Sequence, residues 1–288
     1  MSQDQRPQWW RRPWGMVAVV VGLVLAYRGV LVLDAGIRTV LRWGESGLFF
    51  HPVGDRSRLP GPTQPGGTRW DWAYFWSIVP PILRGLVVTA RAAVVGFLIA
   101  VVGGLALALA RRSRWRILSW PTIAVIEFIR STPLLIQLYF IFFALPAFGV
   151  TLEALTALSV GLGIHYATYC SEAYRAGINS VPSGQWEAST ALNLRTLTTW
   201  TTVILPQAIP NALPVLGNYL VAAFKDAPLG NAIGVTGVLL AAKSLANNGF
   251  TPGVEEYAIV GIGFLMVSIP AAWLIRRLER KVAYERAG

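Results

Sequence analysis

Three pairs of opposite charges stand at or inside long apolar runs of this chain: Glu127 with Arg130, Glu172 with Arg175, and Lys225 with Asp226. A charge at membrane depth is costly, so each pair reads as mutual neutralisation or as a contact for a charged solute. The first two are spaced i, i+3, which puts both side chains on one helix face. Around them lie polar groups, Ser131, Thr132 and Gln137, and aromatic residues, Tyr166, Tyr169 and Phe224, whose faces could meet a cationic solute. Each has a plainer reading beside the functional one. Structural or interfacial ion pairing explains the first two pairs, snorkelling at headgroup level explains Lys225 and Asp226, and packing explains the aromatic rings.

A different feature is the polar, helix-forming island Gly184-Gln185-Trp186-Glu187-Ala188-Ser189, with Asn193, Val203, Leu205 and Pro206 beyond it. Pro182 or Ser183 suits a helix start, and Glu187 falls in the first turns, where a carboxylate complements the helix dipole. Asn193 can end that helix, because asparagine tolerates the left-handed conformation. The spacing predicts a short helix, a sharp turn and a second helix along the membrane face, the shape of a lever seated in another protein.

The elements that must position these residues are membrane spans. Of 288 residues, 54% are apolar and 14% charged, and 12 are Trp, which does not describe a soluble surface. Charge-free runs cover 92–110, 131–152, 154–171, 196–224 and 257–275, and a spanning helix needs about 20 apolar residues. A sixth span is expected at 14–33. Its basic front end also fits a cleaved signal peptide, but no small-x-small site follows, so a retained helix is the preferred reading. The 25 Lys and Arg cluster at the ends of the runs, as with Arg111, Arg112, Arg114 and Arg116, and with Arg276, Arg277, Arg280 and Lys281. That is the positive-inside pattern and not a nucleic-acid footprint. Arg38, Arg42, Arg56, Arg58 and Arg69 stand on the opposite side of this arrangement.

The expected organisation is a basic tail and extra helix over 1–33, an external Pro/Gly-rich connection over 34–76, a helical core over 77–281 and a tail over 282–288, with the polar island inside a cytoplasmic loop over 181–206. WDWAYFW at 70–76 reads as an interfacial aromatic belt. Ala100, Gly104 and Ala108 recur at i+4 and predict a close helix approach on one face. Pro206, Pro210 and Pro214 remove donors along one face, consistent with a kinked helix lining a cavity or with a helix that starts late, after Pro206. Cys170, the single cysteine, reads as a small buried residue.

Enzymatic signatures are missing. The three lysines follow Phe224, Ala242 and Arg280, so no phosphate-binding Gly-Lys-Ser/Thr loop exists, and His51 and His165 have no ligand-spaced companion. No metal site, catalytic residue or cofactor is expected in the chain, and any ATP chemistry belongs to a partner.

The island carries a family resemblance. Glu187-Ala188-Ser189, three residues, Asn193, nine residues, Val203, one residue, Leu205-Pro206 is similar to the loop motif of the integral-membrane subunits of ABC importers, specifically the polar amino acid class. Ser replaces the third Ala, Val replaces Ile, and Asn stands for the motif's Gly. The resemblance covers about residues 70–281. It implies an all-α type I importer bundle of five core spans plus the extra N-terminal helix, multi-pass in a bacterial plasma (inner) membrane. It further implies an ATPase subunit dimer that binds ATP and Mg, a second permease subunit (identical or different), an extracytoplasmic solute-binding protein, and a coupling role for Gly184, Glu187, Ala188, Ser189, Asn193, Leu205 and Pro206. The segments EFIRSTPLLIQLYFIFFALPAFGV, GLGIHYATYCSEAYRAGINSVPSGQWEA and NYLVAAFKDAPL, with WDW and SWPT (119–122), look most like permeases for ectoine and hydroxyectoine. That subgroup implies uptake of a zwitterionic compatible solute, whereas related permeases carry glutamate, glutamine, arginine or histidine. Members usually begin near Trp70, so the first helix departs from the pattern.

The pathway candidates are therefore Glu127, Arg130, Thr132, Gln137, Tyr169, Glu172, Lys225 and Asp226. The rival classes are an ion-gradient-driven transporter or channel, which would work without an ATPase, and a membrane scaffold, which would move no solute.

Overall fold

The computed structural model describes residues 72–246 and 254–287, and no strand occurs among them. The helix expected at 14–33 and the connection before Trp72 lie outside the described residues. In chain order the helices are α1 (Trp72–Arg111), α2 (Arg116–Ser131), α3 (Leu134–Tyr139), α4 (Ala154–Asn179), α5 (Ser183–Ala191), α6 (Thr196–Thr198), α7 (Leu205–Asp226), α8 (Val238–Ala246) and α9 (Val254–Ala287).

α1 begins well before the charge-free run at 92–110. Arg84 and Arg91 interrupt the apolar sequence but not the helix, so the aromatic segment from Trp72 onward is its first turns and not a connection preceding the core. Its 40 residues reach about 60 Å at 1.5 Å per residue. The small-residue stripe does what its spacing predicts. Ala100 and Ala108 are buried, and a Cβ built on Gly104 would lie 2.5 Å from Cys170 Cβ and 2.9 Å from the Ala167 carbonyl oxygen. Gly96 meets Leu162 and Ser159 equally closely, so α1 and α4 touch backbone to backbone and Cys170 is fully buried between them. Gly104→Ala is expected to push these helices apart at a cost of about 1–3 kcal/mol, measured as a lower midpoint of thermal unfolding in detergent.

The run at 131–152 does not form one straight span. α2 ends at Ser131, and the helical stretch Leu134–Phe148 leaves it at 106°. The cause is local. Pro133 disfavours the helical conformation at Thr132, which is extended at φ −107° and ψ 139°. Gln137 then turns back, its Nε2 donating to the Ile129 carbonyl at 2.7 Å and the Thr132 carbonyl at 3.0 Å, so the severed end of α2 keeps partners for its last carbonyls.

Among the described residues, Tyr74–Arg111 and Val254–Arg280 qualify alone as membrane spans by length and composition, and up to four qualify if each of two bent pairs is one span. The fourth expected span forms as α4, 26 residues long, yet is not among those four. α4 carries Ser159, His165, Thr168 and Ser171 buried against its neighbours. A helix encased in protein needs no apolar surface toward lipid.

α6 runs through a π-helical stretch, Thr199–Ile204, into α7, which holds Pro210 and Pro214 internally. The Leu205 N–H bonds to the Trp200 carbonyl, five residues back, the wider spacing of a π turn, just before Pro206. The prolines therefore sit in a continuing helix that does not start late. Beyond α7, a 3₁₀ stretch (Ala227–Ile233) leads to α8. Thr89 Oγ1 on α1 accepts the Val238 N–H at 3.0 Å and donates to the Gly85 carbonyl at 2.9 Å, capping α8 from another helix. α9 closes the bundle through Phe264, whose ring centroid is 4.9 Å from that of Phe224.

Candidate functional site: a polar strip on α4 and an exposed lever

Every third or fourth residue of α4 faces one side, so His165, Tyr169 and Glu172, with Tyr166 beside them, form a strip along the helix. At one end the Tyr166 hydroxyl donates to Asp226 Oδ2 at 2.6 Å, joining α4 to the last residue of α7. The rings of Tyr166, Tyr169 and Tyr219 follow, with centroids 5.7–6.4 Å apart. His165 stands 5.2 Å from the Tyr169 ring, and its Nδ1 lies 3.2 Å from Gln137 Oε1. Gln137 also reaches Thr132 Oγ1 at 3.0 Å, so the bend between α2 and α3 is held against the strip.

At the other end, Glu172 gathers three arginines. Arg175 grips Oε2 through Nε and Nη2, both at 2.7 Å, Arg111 Nη1 donates to Oε1, and Arg130 Nη1 is 3.8 Å from Oε1. The Arg130 guanidinium also lies over the Tyr169 ring, 5.2 Å from its centroid. One carboxylate thus serves three guanidinium groups from α1, α2 and α4. The cluster carries a net positive charge beside a row of aromatic faces.

The structure therefore brings together Arg130, Thr132, Gln137, Tyr169 and Glu172, with Asp226 at the far end of the same strip. It does not bring in the others. Glu127 is exposed and makes no ion pair among the described residues, because Arg130 points instead to Glu172 and Tyr169; the i, i+3 pairing expected of them does not form. Lys225 is exposed and stands apart from Asp226's bond to Tyr166. Glu172 and Arg175 do pair as their spacing predicts. Sequence reasoning missed Tyr219 as a member of the strip and Arg111 as a partner of Glu172. Arg111 ends an apolar run and looked like one more loop charge.

The island forms α5, and its ending follows the residue chemistry. Asn193 adopts φ 52°, and the bonds Leu194 N–H to Ser189 O (3.1 Å) and Asn193 N–H to Thr190 O (2.9 Å) are those of a Schellman motif. Gly184, Glu187, Ala188 and Asn193 are exposed, and a side chain added at Gly184 would meet nothing within 4 Å. Ser189 and Leu205 are buried and Pro206 is half-buried, so these three frame the lever from inside. Trp186 and Trp200 pack edge to face, centroids 5.3 Å apart, over Ile178, Val181, Ile204 and Ala208. The outer surface of α5 is thus free and its inner surface is anchored.

Residues 100–284 match the family described as the binding-protein-dependent transport system inner membrane component. The probable amino-acid ABC transporter permease protein y4tG of Sinorhizobium fredii is 42% identical over 218 residues, 74% of this chain and 94% of that protein. The glutamine transport system permease protein GlnP of Escherichia coli is 32% identical over 216 residues, 74% and 98% respectively. A crystal structure of an amino acid ABC transporter with histidines superposes with a TM-score of 0.68 at 30% identity, covering 74% of this chain and 99% of that one. The chain belongs to the family of binding-protein-dependent inner-membrane transport components, and it is an ABC importer permease of the polar amino acid class.

Proposed function

We propose that this member of the binding-protein-dependent permease family carries a polar amino acid across the inner membrane, powered by a separate ATPase dimer docked on α5. Arg130, Gln137, Tyr169 and Tyr219 would form part of the wall along which the solute passes, with Glu172 and Asp226 fixing the two ends of the strip. A solute-binding protein would deliver the solute, and a second permease subunit would close the open side of the pathway. The observation that carries this reading is the pairing of the Arg130 guanidinium of α2 with the tilted tyrosine rings of α4: a guanidinium for a carboxylate and tyrosine faces for an ammonium group.

The solute reading shifts from that expected of the sequence. Ectoine, taken from segment resemblance, has no support among the relatives described above, which are a glutamine permease, a probable amino-acid permease and an amino acid transporter determined with histidines. The amino acid alternative fits better. The test is ATP-dependent uptake by the purified complex in proteoliposomes, with binding protein and radiolabelled glutamine, histidine, glutamate, arginine or ectoine. Accumulation of one or more of the amino acids and none of ectoine is expected. Uptake of ectoine alone would restore the earlier solute, and flux through this chain without an ATPase would overturn the class.

A further inference from the structure

Arg112 follows the last residue of α1, and its side chain has contacts of its own, different from those of its neighbour Arg111 in the ion cluster. Its guanidinium carbon lies 5.3 Å from the Trp186 ring centroid on α5 and 5.9 Å from that of Trp200, on the π-helical stretch leading into α7. Its Nη1 donates to Asn179 Oδ1, at the end of α4, at 3.1 Å. One side chain thus touches the lever, the entry to α7 and the end of α4. The adjacent residue grips Glu172, the hub of the strip. Gln207 Nε2, 3.3 Å from Gln185 Oε1, adds a second link between α5 and α7.

We propose that Arg112 is the positioning residue that transmits movement of α5 to the charged end of the strip. The cation holds two tryptophans from separate elements in one contact, so a displacement of α5 drags the end of α1. Arg111, one residue earlier on the same backbone, then shifts against Glu172, which is shared with Arg130 and Arg175. The contacts along this route are contiguous, and they carry coupling when the route moves between two discrete arrangements, which the transport test below measures. The inference rests on α5 being the ATPase-docking element.

The test uses the whole complex in proteoliposomes, measuring ATPase recovery on purification, ATP hydrolysis, and solute moved per ATP. The solute is whichever of glutamine, histidine, glutamate, arginine or ectoine the wild type accumulates. Arg112→Ala is expected to retain the ATPase and keep hydrolysis within about twofold, while solute per ATP falls about tenfold. Arg112→Lys, which keeps a cation over the rings, should recover part of the coupling, and Trp200→Leu should reproduce the loss. Wild-type solute per ATP in Arg112→Ala would overturn the proposal, as would loss of uptake in strict proportion to lost ATPase. If Arg112→Ala does not accumulate in the membrane, normal coupling in Trp200→Leu would overturn it instead. Normal ATPase recovery with Glu187→Ala would sink the docking role itself, whereas a defect there with coupled Arg112→Ala would sink only the transmission route.

Discussion

Glu187→Ala is expected to leave the chain inserted and folded while uptake falls roughly thirtyfold or more and less ATPase co-purifies, the loss that follows when a paired charge at an interface is truncated. Glu187 faces outward from α5 and has no ion pair among the described residues, so its removal breaks no ion pair there. Substitutions at such positions usually change stability by about 0.5 kcal/mol or less. A large transport defect at unchanged thermal stability would therefore be a defect of docking. The comparison to make is ATPase recovery on affinity purification against the unfolding midpoint of the same sample. Unaltered uptake by this variant would remove the coupling role.

Glu172→Ala should fail in the opposite way, through the fold. The carboxylate is only 18% exposed and is the shared counter-charge for Arg111, Arg130 and Arg175. Without it, three guanidinium groups from three helices face one another in a partly buried site. Breaking a fully buried pair costs about 3–5 kcal/mol, but Arg111, Arg130 and Arg175 are 26%, 35% and 50% exposed, so solvent screening brings the cost here to about 1–2 kcal/mol. Lower membrane yield and a lower unfolding midpoint are expected. Arg130→Ala should be far milder for stability, since Arg130 is the most distant of the three at 3.8 Å, and its loss should be felt in uptake. A Glu172→Ala protein as stable as wild type would show that the arginines find other partners. It would also remove the hub from both the strip and the transmission route.

Much of the bundle was legible because helix periodicity and membrane thickness act on short stretches of chain. The approach of α1 to α4 was visible in Ala100, Gly104 and Ala108, since only small residues let backbones touch. The helix at 183–191 and its left-handed end at Asn193 were visible because caps are local chemistry. Boundaries read from charge alone failed at Arg84 and Arg91, which a long helix carries without breaking. The bend at Thr132 was hidden by counting charge-free residues when the decisive signal was Pro133.

What the sequence by itself determined is the membrane class, the family motif and the position of the helix α5, all properties of residues near one another along the chain. Which charges meet was decided only by the tertiary structure. Glu127 and Arg130 share a helix face, yet Arg130 goes to Glu172 on another helix, and Arg111 crosses 61 residues to the same carboxylate. Long side chains reach several ångströms in any direction, so their partners depend on how whole helices pack. In the same way Arg112, Trp186 and Trp200 carry no signal by spacing, and become a single contact only when the ends of α1, α4 and α5 converge.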